Sequence, residues 1–211
     1  MVAINLLDLF FNIDKFLSLI IQNYGIWVYF ILFVIILLET GFILTPILPG
    51  GSLIFLAGTF AWTKLLNIYL VFTIFVAAAI LGDSLNYFIG KYLGENVFAK
   101  SRFFKKENLE KTKKFYKKYG GKTIFLGRFV PIIRTFVPFV AGIGEMKYSK
   151  FLLYNISGAI AWVVLFLGAG YFFGGIPLIK NNLGLFVILI IFITIIPLII
   201  QAIKNRKRRN R

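Results

Sequence analysis

Polar positions are so sparse along this chain that they mark out its elements. From Tyr24 to Leu38 almost every residue is apolar, and the run closes on Glu39 and Gly41. Asn67–Tyr92 is a second long apolar run, interrupted by Asp83 and Asn86. Phe151–Phe173 and Leu185–Ile203 follow, the last with Pro197 as a kink. A helix needs about 20 mostly apolar residues to cross a membrane, so these runs predict spans. Ahead of them, residues 1–23 set apolar groups beside Asp8, Asp14 and Lys15, the pattern of an amphipathic helix lying in the interface. A cleaved signal peptide is the rival reading. The first 14 residues carry two acids and no basic side chain, which argues against it.

Two other apolar stretches break the pattern. Thr45–Trp62 contains Pro46, Pro49, Gly50, Gly51 and Gly58. Each proline removes a backbone donor and a Gly-Gly pair favours non-helical backbone, so a continuous spanning helix is not expected there. Thr123–Ile143 holds two arginines six apart, Arg128 and Arg134, and two prolines seven apart, Pro131 and Pro138. Both stretches, at about 45–62 and 123–143, read as re-entrant hairpins shaped by Pro46, Pro49, Gly50, Gly51, Pro131 and Pro138.

Composition supports the membrane assignment: 59% of the 211 residues are hydrophobic and 15% charged, where soluble domains run nearer about 25% charged. The net charge of +16 raises nucleic acid as a partner, but its placement argues against that. Eleven of the 24 Lys and Arg residues lie in Lys91–Lys122 and six more in Lys204–Arg211. Basic residues beside apolar spans mark cytoplasmic loops facing anionic lipid. Residues 91–122 thus read as a basic amphipathic loop and 204–211 as a cytoplasmic tail. Within the loop Phe104, Leu109, Phe115, Tyr116 and Tyr119 recur at roughly helical spacing, which predicts a helix resting on headgroups.

Parity then constrains the second broken stretch. If both basic regions are cytoplasmic, an even number of crossings separates them, and Phe151–Phe173 and Leu185–Ile203 already supply two. Thr123–Ile143 must therefore enter and leave on one side, which also puts Lys147 and Lys150 inside. An internal repeat points the same way. Subtracting 84 aligns Phe139, Ala141 and Gly142 with Phe55, Ala57 and Gly58, and Tyr171, Phe172 and Gly174 with Tyr87, Phe88 and Gly90. A single crossing separates corresponding points, so the halves would be inverted, as in many transporters. The expected fold is an all-α polytopic membrane protein with one membrane domain over 24–203. It has about four membrane-crossing helices plus two re-entrant helical hairpins in an inverted repeat, with interfacial amphipathic helices.

Four charges lie in apolar context: Glu39, Asp83, Arg128 and Arg134. A charge at the bilayer centre costs about 2.5–3.5 kcal/mol even on lenient scales, so such residues pair or face a polar cavity. Structural ion pairing is the plain alternative to function. The functional reading gives Arg128 and Arg134 a phosphate, which a guanidinium fork suits at any working pH. Burial favours the neutral form of a carboxylate, which makes Glu39 and Asp83 candidates for proton coupling. Trp62 and Trp162 read equally well as interface anchors or as residues with a specific role. With no Cys and no His, thiol and imidazole chemistry and their metal sites are excluded. No catalytic group, metal or cofactor is expected, and the chain is not read as an enzyme.

The motifs E-T-G-F-I-L-T-P-I-L-P-G-G-S-L-I-F-L-A-G, G-D-S-L-N-Y-F-I-G and G-G-K-T-I-F-L-G-R-F-V-P-I-I-R-T-F-V-P-F-V-A-G-I-G-E-M-K-Y-S-K-F-L-L-Y-N closely resemble the bacterial DedA family, which shares the VTT (SNARE-associated) domain. The resemblance spans roughly residues 25–175 and rests above all on R-F-x-P-x-x-R-T-x-x-P-x-x-A-G. It implies a multi-pass inner-membrane lipid transporter, a flippase or scramblase. Undecaprenyl phosphate is the first-choice cargo, other phospholipids come next, and proton and membrane-potential dependence is implied, with protons or Na+ as candidate coupling ions. The family's functional positions match Glu39, Arg128 and Arg134, but its usual acid after the P-G pair is Gly51 here. A proton- or cation-coupled small-solute transporter and a non-transporting envelope-assembly scaffold are the other functions in play. Expected partners are a lipid phosphate and the anionic membrane surface, both termini are expected in the cytoplasm, and self-association is left open.

Overall fold

A computed structural model describes residues 23–41, 50–100, 116–144 and 146–176. All regular structure among them is helical: α1 is Ile26–Gly41, α2 Gly50–Trp62, α3 Ile68–Lys100, α4 Lys122–Gly127, α5 Pro131–Ile143 and α6 Tyr148–Phe173. Residues 1–22 of the expected interfacial helix (1–23), residues 101–115 of the basic loop with Phe104, Leu109 and Phe115, the span 185–203, the tail, and Pro46 and Pro49 fall outside the described residues.

Local sequence explains several boundaries. Asn67 caps α3, its Oδ1 accepting from the Tyr69 N–H at 3.0 Å and the Leu70 N–H at 3.2 Å. Pro131 opens α5 after an extended Val130, where its missing N–H and fixed φ cost nothing. Gly120, at φ +56°, follows the helical residues 116–119 in a left-handed conformation that a side chain resists. Two of the expected spans appear at full length: Ile68–Tyr92 and Tyr148–Phe173 are long and apolar enough to cross a membrane. α1 has 16 residues and α2 has 13. At ~1.5 Å per residue, the described residues of each cover less than a ~30 Å hydrocarbon core.

Three expectations need correction. Gly50 and Gly51 do not break the backbone but open α2, which runs unbroken to Trp62. Pro138 shapes no turn either. It lies inside α5, where it removes the N–H that would have bonded the Arg134 carbonyl one turn back. The turn in the 123–143 stretch falls at residues 128–130, between α4 and α5, and those two helices pack on each other. Finally, residues 91–100 are not loop but the continuation of α3.

The chain divides into two compact units, each assembled from separate segments. The first includes residues 23–32, 50–73 and 164–176, and its centre is α2 crossing the end of α6. The crossing is backbone on backbone. A Cβ on Gly58 would collide with the Leu167 carbonyl and lie 2.9 Å from the Tyr171 nitrogen, and one on Gly170 would collide with the Phe55 carbonyl. The Thr59 hydroxyl donates to the Gly170 carbonyl at 3.3 Å, and Trp62 meets Tyr171 edge to face at 5.4 Å.

The second unit includes 33–41, 74–100 and 116–163. Here α5 crosses α3 in the same manner. A Cβ on Gly142 would collide with the Tyr87 carbonyl and lie 2.8 Å from the Lys91 nitrogen, and one on Gly90 would collide with the Phe139 carbonyl. Phe55 and Gly58 thus correspond to Phe139 and Gly142, the 84-residue offset of the sequence repeat. Their contacts do not follow that offset: Gly170 and Tyr171 correspond to Gly90 and Lys91, 80 residues apart, so the Y-F-x-G alignment is displaced by one helical turn. In each unit the short helix of one half packs on the long helix of the other. Tyr87 also stacks on Phe151 at 4.6 Å and donates to the Met146 carbonyl, closing the core around α3, α5 and α6.

Candidate functional site

All four intramembrane charges fall in the second unit, where each is carried by a different local device. α1 and α3 cross at Gly82, where an added Cβ would stand 2.9 Å from the Gly41 nitrogen. That close approach brings the end of α1, with Glu39, alongside the turn of α3 that bears Asp83. Arg128 occupies the α4–α5 turn. A Cβ on Gly127 would lie 2.7 Å from a Val137 methyl, so α4 can close on α5 only because residue 127 has no side chain. Arg134 follows in the first turns of α5.

Arg128 is 4% exposed. Its stem lies over Gly158 of α6, where a Cβ would come within 3.1 Å of Cδ and 3.2 Å of Nε. Three acceptors converge on one nitrogen. Nη2 donates to Asp83 Oδ2 at 2.5 Å and to Asn155 Oδ1, and reaches the Ala79 carbonyl at 3.5 Å. Nε and Nη1 are buried and have no hydrogen-bond acceptor among the described residues. Asn155 is itself held in place, donating through Nδ2 to the Ile80 carbonyl at 3.1 Å and lying 3.5 Å from Ser84 Oγ. The Ser84 hydroxyl donates to the same carbonyl at 2.7 Å, and the Tyr148 hydroxyl donates to Ser84 at 3.2 Å.

Arg134 is held differently. Its Nη2 stands 3.2 Å from Glu39 Oε2, an ion-pair distance without hydrogen-bond alignment. Its Cζ lies 4.2 Å from the ring centroid of Trp162 on α6. The structure therefore brings together all four charges expected to matter, as Arg128–Asp83 and Arg134–Glu39, and the pairs are near enough to act on each other electrostatically. Among the described residues no three Asp or Glu groups gather as a metal site would need.

Sequence reasoning missed Asn155, Gly158 and the role of Trp162. A lone amide within an apolar span was the available signal for Asn155, since a buried amide needs hydrogen-bond partners. Trp162 was read as an interface anchor beside Trp62. Trp62 is 46% exposed, but Trp162 is 2% exposed and faces a guanidinium.

The VTT domain family matches residues 48–172. Over 206 residues the chain is 48% identical to protein DedA of Escherichia coli K12, covering 96% of this chain and 94% of that protein. The chain belongs to the DedA family. An uncharacterized membrane protein of Mycobacterium tuberculosis is 41% identical, with 84% of this chain and 80% of the relative aligned. Inner membrane protein YghB of Escherichia coli is 29% identical over 157 residues, covering 74% of this chain and 72% of its own length. No solved structure matches. The family match and the two full-length apolar helices make this a helical membrane protein. Each of the four charges lies in a segment quoted above for the DedA resemblance, and Arg128, Asp83 and Arg134 fall inside the VTT match.

Proposed function

We propose that this DedA-family protein moves a phosphate-bearing lipid, undecaprenyl phosphate before other phospholipids, across the bacterial inner membrane, with both termini in the cytoplasm. The observation that carries this reading is Arg128, a buried guanidinium with two nitrogens, Nε and Nη1, that have no acceptor among the described residues. An unmet buried donor costs about 1–3 kcal/mol, and more when charged. A phosphate oxygen is the complementary acceptor, and an apolar tail would keep the anion at this depth. Asp83 and Glu39 hold the arginines when no anion is present. Proton uptake by either acid loosens its pair and favours phosphate in its place. Neither an enzyme activity nor a cofactor belongs to this reading.

The test is reconstitution. Proteoliposomes carrying labelled undecaprenyl phosphate or labelled phosphatidylethanolamine are scored for leaflet exchange with and without a pH gradient. Exchange of the polyprenyl phosphate that Arg134→Ala abolishes would sustain the proposal, and equal exchange by that variant would end it.

The pairing itself favours one other reading, a scaffold in which the arginines serve as structural partners. Under it the wild-type protein exchanges no lipid in the same assay.

A further inference from the structure

α6 presents a single stripe to both arginines. Asn155, Gly158 and Trp162 are spaced by three and then four residues, which places them on one face of the helix. Asn155 accepts from Arg128, Gly158 leaves room for its stem, and Trp162 stacks on Arg134. The upper part of the stripe has no assigned role.

Two features set the Arg134 contact apart. Its carboxylate partner, at 3.2 Å, is not aligned for hydrogen bonding, and the Arg134 Cζ also lies over the indole at 4.2 Å from the ring centroid. Trp162 is also buried, the condition under which cation–π attraction is strongest, and indole is the best π surface among side chains. An indole holds a guanidinium by its face and leaves the N–H edges free to donate. Being uncharged, it does not compete with an incoming anion as a second carboxylate would.

We propose that Trp162 is the positioning residue of the anion site, holding Arg134 by its face so that its N–H edge is presented to a phosphate when Glu39 gives way. This deepens the proposed function and rests on Arg134 being a phosphate ligand. It also makes Trp162 an intrinsic reporter, because displacement of the guanidinium changes the field on the indole.

The experiment uses the full chain in lipid nanodiscs, with farnesyl phosphate as the anionic probe and farnesol as the neutral control. A double variant, Trp27→Phe with Trp62→Phe, leaves Trp162 as the sole indole, since the chain has three. Farnesyl phosphate should shift its emission with saturation and farnesol should not. Affinity, measured across the series by equilibrium binding of radiolabelled farnesyl phosphate, should then fall in the order Trp, Phe, Leu at position 162. We expect about threefold loss for Trp162→Phe and about tenfold for Trp162→Leu, the latter being ~1.4 kcal/mol and within the range of a desolvated cation–π contact. Leu keeps the site apolar, and the single-tryptophan titration needs no change at 162, so a folding defect cannot imitate the result. Unchanged emission, or Trp162→Leu binding as tightly as Trp162→Phe, overturns the proposal. Arg134→Ala separates the two levels. If it still binds farnesyl phosphate normally, the phosphate reading itself fails. If it does not bind while the position-162 series is flat, only the role of Trp162 fails.

Discussion

Asp83 and Asn155 meet the same nitrogen of Arg128, one through a carboxylate oxygen at 2.5 Å and the other through its amide oxygen. Nη2 thus adds a bridge between α3 and α6 to their direct Asn155–Ile80 and Tyr148–Ser84 hydrogen bonds, while the rest of the guanidinium has no acceptor among the described residues. Fixing one corner of the fork and leaving the others available suits a group that must take hold of something and release it.

The first prediction separates holding the fold from holding the ligand. Arg128→Ala strands Asp83 as a buried charge, and breaking a buried pair costs about 3–5 kcal/mol. Arg128→Ala combined with Asp83→Asn should regain most of the melting temperature and none of the lipid exchange. Exchange by the double variant, measured beside its thermal melt, would remove Arg128 from the site.

Asn155→Leu deletes the amide that positions Arg128 and keeps the branched outline of the side chain, in a somewhat larger volume. The lost hydrogen bonds should lower stability by about 1–3 kcal/mol. The half-saturating concentration of polyprenyl phosphate should rise several-fold. Asn155→Asp adds a negative charge beside Asp83 and should weaken anion binding further, more so at low ionic strength. A dose response at two salt concentrations decides.

The helix crossings predict a sharp contrast among glycines. Gly58→Ala and Gly142→Ala drive a methyl into a backbone carbonyl. Overpacking of this kind costs about 1–3 kcal/mol or more. Gly168 lies in α6 with no atom within 4 Å of an added Cβ. Gly168→Ala should stabilise by about 0.4–1 kcal/mol. Thermal melts of the three variants in one detergent suffice.

Gly51 is where the family's usual acid is missing. A Cβ there would stand 3.1 Å from the Phe166 ring, so an acid needs that ring to give way. Gly51→Asp combined with Phe166→Leu should fold, and leaflet exchange should respond more strongly to a pH gradient than in the parent. An unchanged response would mean that Glu39 and Asp83 provide all the coupling there is.

Much of this was legible in the sequence, for identifiable reasons. The runs 68–92 and 148–173 are long and apolar, and length with hydropathy is what a bilayer selects, so those helices emerged where expected. Asn67 was read only as the first residue of an apolar run and Pro131 only as a hairpin-shaping proline, although capping is local and both open helices. Gly50, Gly51 and Pro138 misled because the same residues that end helices in water also let helices pack closely or bend in a bundle. The four charges were identifiable as a set, but which arginine takes which acid was not. Arg128 and Asp83 are 45 residues apart, and only the Gly41–Gly82 and Gly127–Val137 approaches settle the matching. Trp162 was read with Trp62 as an interface anchor because a buried tryptophan and an interfacial one look alike in a string of apolar letters.

The cluster of Glu39, Asp83, Arg128 and Arg134 carries two negative and two positive formal charges, a sum of zero. For the translocation proposed above this has an electrical consequence. Voltage does work on moving charge, about 2.3 kcal/mol per elementary charge per 100 mV, so the empty site can reorient without feeling the membrane potential. The potential then acts only on the loaded half of the cycle, and a lipid monoanion accompanied by one proton would be invisible to it there too. Clamping the potential with valinomycin and potassium should leave exchange of such a lipid nearly constant, while collapsing the pH gradient should not.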